Sequence, residues 1–307
     1  MKFASAPAVV THGGAANDPA NRDACTAAND AALEVLRRGG SALDAAVAAV
    51  VVLEDDPRLN AGTGATLRLD GRVQLDASVM DIRGFGAVAA LEDTRNPVHV
   101  ARAVYDLPHL LVVGDGATAL ARTLGLPGSA PISAAQRLRH EQRMARLGAG
   151  SGEALWRGVD ERFWRPHCPP AAAGASAEDD PAGTCDTVGA VVRDGRGDFA
   201  AAGSTGGLWC ALRGRVGDVA IPGAGVFVGP LGAVACTGVG ELIWRELLSR
   251  RVHDLLDGPR SAQVVVDDVI AGMRERHPGV DVGVIAVGAN TMGAAVTGSM
   301  PWAARAD

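Results

Sequence analysis

The chain has 307 residues, 48% of them hydrophobic, and a formal net charge of −6: enough for one large domain or two small ones, and a balance that speaks against nucleic acid and anionic membrane as partners. Lys2 is the only lysine, which excludes a Walker A loop, an internal Schiff-base lysine and a Ser-x-x-Lys nucleophile, since a terminal residue is a poor catalyst. The five cysteines at 25, 168, 185, 210 and 236 form no C-x-x-C pair and no zinc spacing, the start MKFASAPAVV is broken by proline, and no run of 18 apolar residues exists, so the reading is a reduced, cytoplasmic protein without leader or membrane span.

In chain order, Ala8-Val9-Val10 predicts a buried strand running into the turn His12-Gly13-Gly14-Ala15. A helix is expected over 20–38, ended by Gly39-Gly40, and a second over 42–54, capped by Ser41. After a loop from Asp55 to Gly64 comes a hairpin signal, 66–69 and 72–75 about the turn Asp70-Gly71. Strands are expected at 77–80, 86–91 and 110–113, and helices at 97–106, 115–124 and 133–147. Residues 165–186, rich in Pro, Ala, Gly and acid without any period, read as a flexible linker. Strands follow at 187–193, 198–203, 224–228 and 232–236, then helices at 240–255 and 260–275, then strands at 282–287 and 292–297. Strands and helices come in blocks rather than strict alternation, which favours an α+β fold with antiparallel sheets.

The junction Asp186-Thr187 is the most informative point, an aperiodic segment stopping at a threonine that opens a buried strand. Ser204-Thr205-Gly206-Gly207, Gly214-Arg215-Val216-Gly217-Asp218 and Cys236-Thr237-Gly238-Val239-Gly240-Glu241 place polar side chains beside exposed backbone, the last at a helix start where amides can face an anion. Asn60-Ala61-Gly62-Thr63-Gly64 adds a candidate from the first half. Each alone is an ordinary turn; together they read as the rim of one site. Neither Gly62-Thr63-Gly64 nor Gly223-Ala224-Gly225 completes G-x-G-x-x-G, and no H-E-x-x-H occurs. His12 is read as a loop brace. Asp76 and Asp81 could pair as acid and base, but with core-like neighbours they read as hydrogen-bond anchors.

These residues resemble a known family. HGGA (12–15), LEDDPRLNAGTGA (53–65), LDASVMD (75–81), GAVAAL (86–91), DTVGAV (186–191), STGG (204–207), GRVGD (214–218), GAGV (223–226), CTGVGE (236–241) and MPWA (300–303) look like the plant-type asparaginase, isoaspartyl peptidase and glycosylasparaginase family of N-terminal-nucleophile hydrolases. The likeness runs from His12 to about Trp302. It implies a four-layer αββα sandwich, cleavage before Thr187 into segments 1–186 and 187–307 that together form one domain, and a dimer of αβ heterodimers. It implies hydrolysis of the side-chain amide of L-asparagine and of β-aspartyl peptides. Alternatives are a glycosylasparaginase, a threonine-aspartase-like protease or a catalytically silent binding homologue. Asp186 before the nucleophile is shared with glycosylasparaginases and threonine aspartases. STGG and NAGTG lean away from the former, and Asp218 leans away from the latter.

Carried over residue by residue, the nucleophile falls on Thr187, its supporting hydroxyl on Thr205, the oxyanion donors on Thr237 and Gly238, and a further active-site residue on Asn60. Arg215 and Asp218 fall at the substrate's α-carboxylate and α-amino contacts, with Gly238 and Gly240 also touching ligand. A structural sodium ion is expected on backbone carbonyls of Leu53, Glu54, Asp56, Leu59, Ala61 and Thr63, with no catalytic cofactor. The chemistry suits these residue types. A freed Thr187 carries an α-amine of pKa roughly 7.7–8.0 that can take its own hydroxyl proton.

Overall fold

The computed structural model describes residues 6–149, 154–169 and 187–307. Most of their strands are rich in Ala, Gly and Val and buried on both faces, which is how a strand reads when it is covered on either side; Leu111–Val113 and Trp302–Ala306 are largely exposed. The first half supplies β1 (Ala8–His12), α1 (Arg22–Arg37), α2 (Ala42–Asp55), β2 (Leu75–Asp81), β3 (Phe85–Leu91), α3 (Pro97–Tyr105), β4 (Leu111–Val113), α4 (Gly114–Thr123) and α5 (Ala134–Gly148). The second half supplies β5 (Val188–Arg193), β6 (Phe199–Thr205), β7 (Val226–Gly229), β8 (Gly232–Gly238), α6 (Gly240–Glu246), α7 (Leu248–Leu255), α8 (Ala262–Arg276), β9 (Val282–Gly288), β10 (Met292–Val296) and β11 (Trp302–Ala306). The class is α+β. Among the described residues no helix is long and apolar enough to cross a membrane.

The strands form a seven-stranded sheet, β11-β1-β5-β6-β2-β3-β4, and a four-stranded sheet, β10-β9-β8-β7. All neighbours are antiparallel except β3 and β4. The period of two along a strand sorts side chains between clusters. On β8, Ala233 and Ala235 join a core shared with Val10, Val191 and Ala201 of the larger sheet, while Val234 and Cys236 face Leu248, Val252 and Val266 of α7 and α8. On β5, Val188, Ala190 and Val192 instead pack with Leu33, Leu43 and Val50 of α1 and α2. Each fully buried leucine or valine contributes roughly 1.5–3 kcal/mol over its exposed state. Ser41 caps α2 as expected, in a reciprocal box with Asp44.

Four sequence expectations change. The hairpin at 66–75 is a turn without paired strands. Gly71 N donates to Arg68 O and Arg68 N to Arg72 O, but Leu69 N donates to Ala211 O and Cys210 N to Leu67 O. Leu67 and Leu69 thereby bury against Leu147, Trp164, Trp209 and Cys210. The helix expected over 240–255 breaks at Leu247, which is left-handed (φ 45°). Trp302–Ala306, not expected as a strand, extends the sheet beyond β1. Of the linker at 165–186, Arg165–His167 forms a 3₁₀ turn, and 170–186, with Cys185 and Asp186, lies outside the described residues.

Candidate active site

Thr187 precedes the first residue of β5, and the register of β5 on β6 sets it opposite Thr205. Its hydroxyl donates to Thr205 Oγ1 at 3.2 Å, and the same oxygen accepts Gly207 N at 2.9 Å. Both threonines are buried, at 5% and 3% exposure. Asn60 braces this corner. Its Nδ2 donates to Gly207 O at 2.8 Å, its Oδ1 accepts Thr66 N at 2.8 Å, and its carbonyl accepts Gly206 N at 3.1 Å. Thr66 adds hydroxyl bonds to the carbonyls of Gly206 and Gly207 at 3.2 Å. The corner at Thr187 is therefore an over-determined turn, with backbone and side-chain groups fixing one hydroxyl geometry.

Thr237 and Gly238 end β8. Thr237 Oγ1 accepts the backbone amide of Ala15 at 3.0 Å, in the turn after β1. Gly238 has φ 129°, and a Cβ there would meet Asp281 O at 2.2 Å, so the position admits glycine alone. Gly240 opens α6. A Cβ on it would lie 2.7 Å from Asp218 Oδ1 and 2.8 Å from Arg215 Nη2, so both predicted head-group readers border the space that glycine leaves. Asp218 is buried, its Oδ2 has no hydrogen-bond partner among the described residues, and burial, opposed by the positive charge of Arg215, raises its pKa to about 7.

The loop carrying Arg215 and Asp218 is held from below by one face of the β2 segment. Gly214 N donates to Gln74 Oε1 at 2.7 Å, Gly217 N to Asp76 Oδ2 at 3.1 Å, and Ser78 Oγ donates to Val219 O at 2.6 Å. Residues 74, 76 and 78 share a face because strand side chains alternate. The other oxygen of Asp76 accepts Ala90 N at 2.8 Å. Arg68, fully buried, joins the two corners. Its Nη2 donates to Arg215 O at 3.2 Å and its guanidinium lies where a side chain on Gly207 would go. Its Nε and Nη1 find no partner among the described residues. Asp81, at the far end of β2, accepts from Arg83, Gly84 N and Tyr105 Oη. Asp76 and Asp81 are thus separate anchors, as their surroundings suggest, and not an acid–base pair.

His12 ends β1 with its ring against Gly189. Burial, partly offset by the Thr187 backbone, lowers its pKa to about 3, so the ring is neutral and no proton donor near pH 7. The expected sodium loop follows α2. The carbonyls of Asp56, Leu59, Ala61 and Thr63 accept from Leu59 N, Ala61 N, Gly64 N and Gln136 Nε2. Leu53 and Glu54 lie in the last turn of α2, where carbonyls lack helical partners. A carbonyl keeps a second lone pair after one hydrogen bond, so these carbonyls can each accept a further partner. Glu54 Oε2, sealed with no partner among the described residues, sits in the same turn.

Sequence reasoning named Thr187, Thr205, Asn60, Arg215, Asp218, Thr237, Gly238 and Gly240, and the structure groups them in the two corners just described. It gave no role to Gln74, Ser78, Arg68, Ala15 or Glu241, the bidentate partner of Arg215, although Ala15 and Glu241 lie in motifs it singled out. The one signal available was the polar period of two at 74, 76 and 78. A cleft of about 560 Å³ lined by Arg193, Arg196, Phe199 and Pro230 sits at the other end of β5 and β6 and contains none of these residues.

The family described as Asparaginase matches residues 5–306. An isoaspartyl peptidase/L-asparaginase of Danio rerio is 36% identical over 97% of this chain and 92% of its own length. A plant-type L-asparaginase of Pyrobaculum calidifontis is 35% identical over 92% of this chain and 90% of its own. The isoaspartyl peptidase/L-asparaginase of Homo sapiens is 33% identical over 98% and 94%. A match of that extent, spanning both corners, makes this chain a member of the asparaginase family.

Proposed function

We propose that the chain is an amidohydrolase that cuts itself before Thr187 and then hydrolyses the side-chain amide of L-asparagine and of β-aspartyl peptides, releasing L-aspartate. The observation that carries this reading is the hydroxyl pair at the head of β5, Thr187 Oγ1 on Thr205 Oγ1. The names of the relatives, isoaspartyl peptidase/L-asparaginase and plant-type L-asparaginase, support the substrate class.

Scission frees the α-amine of Thr187, which takes the hydroxyl proton as the oxygen attacks the side-chain carbonyl. The Thr237 hydroxyl and the Gly238 amide donate to the oxyanion, each worth on the order of 3–4 kcal/mol. Ammonia or a peptide amine leaves with the proton, and water then releases aspartate from the Thr187 ester. Arg215 reads the α-carboxylate as a planar fork, and Asp218 the α-ammonium. A β-aspartyl peptide presents the same free head as asparagine, so one pocket serves both.

Three of the apolar clusters, helix on sheet, sheet on sheet and sheet on helix, support an αββα sandwich of N-terminal-nucleophile type. A dimer of cleaved heterodimers and a cytoplasmic location belong to the same reading. The 53–63 carbonyls would hold a sodium ion that shapes the loop around Asn60 and supplies nothing to the bond-breaking steps.

Purified protein is run on a denaturing gel and assayed on L-asparagine, β-aspartyl-leucine and a glycosylated asparagine. Two fragments, with hydrolysis of the first two substrates, are expected, and Thr187→Ala should remain one chain. Cleavage of that variant at the same bond, or hydrolysis of the glycosylated substrate alone, overturns the reading.

A further inference from the structure

Arg215 and Asp218 carry opposite charges and border one small space at Gly240. A pair so placed would ordinarily close into a salt bridge, leaving neither to read a ligand. It is not closed: among the described residues no hydrogen bond joins the two, and Asp218 Oδ2 has no hydrogen-bond partner there. Arg215 instead gives Nε to Glu241 Oε1 at 2.9 Å and Nη2 to Glu241 Oε2 at 2.7 Å. Glu241 projects from the first turn of α6 and is 44% exposed, against 14% for Arg215.

We infer that Glu241 is a positioning residue that holds Arg215 off Asp218, so that the pocket presents one free cationic edge and one free carboxylate to a zwitterionic amino-acid head. A guanidinium has five N–H groups, and Glu241 uses the edge formed by Nε and Nη2. Nη1 and the second N–H of Nη2 remain, and Gly217 and Gly240 leave room before them. A Cβ on Gly217 would lie 2.8 Å from Nη1, and one on Gly240 2.8 Å from Nη2. After Glu241, Asp218 is the carboxylate with the largest influence on Arg215. Removing the Glu241 charge turns Arg215 toward Asp218, and both readers are lost together. The inference rests on the proposed roles of Arg215 and Asp218. It adds the residue that keeps those two readers apart.

The test compares Glu241→Gln, Asp218→Asn and the double variant, by asparagine kinetics and by calorimetric binding of L-aspartate. Glu241→Gln should raise KM for asparagine and weaken L-aspartate about tenfold or more, with kcat within about twofold and two fragments on the gel. In the Asp218→Asn background the same change should move aspartate binding less than about twofold, because no carboxylate remains for Arg215 to collapse onto. Equal loss in both backgrounds, or unchanged aspartate binding in Glu241→Gln, overturns the inference while asparagine hydrolysis by the wild type still stands. Conversely, weakened aspartate binding in Glu241→Gln of a wild type that hydrolyses neither substrate keeps Glu241 in place and removes the proposed function.

Discussion

The Thr237 hydroxyl accepts the amide of Ala15 at 3.0 Å, across 222 positions of sequence. An oxygen occupied as an acceptor on one side keeps its own proton for another direction, which is what an oxyanion donor needs. Thr237→Val removes that proton and leaves the Ala15 amide buried without its partner. Asparagine kcat should fall roughly 10²- to 10³-fold, with a stability loss of about 1–3 kcal/mol in denaturant titration. Thr237→Ser should retain most of both. A valine variant with wild-type kcat would remove Thr237 from the reaction.

On the proposed function Arg215 reads the substrate and takes no part in scission, since a precursor would supply its own bond. Hydrogen bonds to charged groups are worth about 1.5–3 kcal/mol, so Arg215→Ala should lose roughly 10- to 150-fold in kcat/KM for asparagine. The gel should still show two fragments. Full activity of this variant would place the head-group pocket elsewhere.

Asp218 makes stability depend on pH. Its carboxyl titrates at about 7 in the folded protein against an ordinary 3.8. The folded state then binds the proton more tightly than the unfolded chain, so its contribution is favourable below about pH 4 and is lost as pH rises toward 7. The full effect is on the order of 4 kcal/mol at most. Asp218→Asn should melt above wild type at pH 8, with the advantage shrinking toward pH 4, while asparagine hydrolysis drops. An advantage that does not change between those pH values would mean that the ionised carboxylate is not its source.

Asp76 bonds two buried amides, Ala90 N and Gly217 N. Asp76→Ala orphans both, at about 1–3 kcal/mol each, and loosens the loop bearing Arg215. A lower denaturation midpoint together with a higher KM for asparagine is expected, and Asp76→Asn, which keeps one acceptor oxygen, should lose less. A midpoint shift without any change in KM would confine Asp76 to stability.

The sequence drew attention to Thr187 through contrast, an aperiodic stretch meeting a threonine at the head of an apolar strand, and the family resemblance made it the candidate nucleophile. Most element positions were legible for the same reason, as strand and helix periods are local. What escaped is non-local. Gln74 and Ser78 look like ordinary polar positions, and Asp76 like an anchor without a partner, until the 214–219 loop lies against them. Glu241 reads as a helix-start acid, and only the fold brings Arg215 to it. The Asp70-Gly71 turn is real, yet its flanks bond to residues 210 and 211, and Leu67 and Leu69 bury in the cluster with Leu147, Trp164 and Trp209. The break at Leu247 has no breaker residue to announce it.

The strand order has one further consequence. β1 lies between β11 and β5, and β2 lies against β6, so chain from before and after Thr187 is woven across the larger sheet at three seams. Loss of the peptide bond before Thr187 removes no rung from any of those ladders. Each piece serves as the template that keeps the other's edges from pairing with strangers. Covalent continuity is dispensable once the weave is made, and the two halves of a cut molecule should unfold in one shared transition instead of drifting apart.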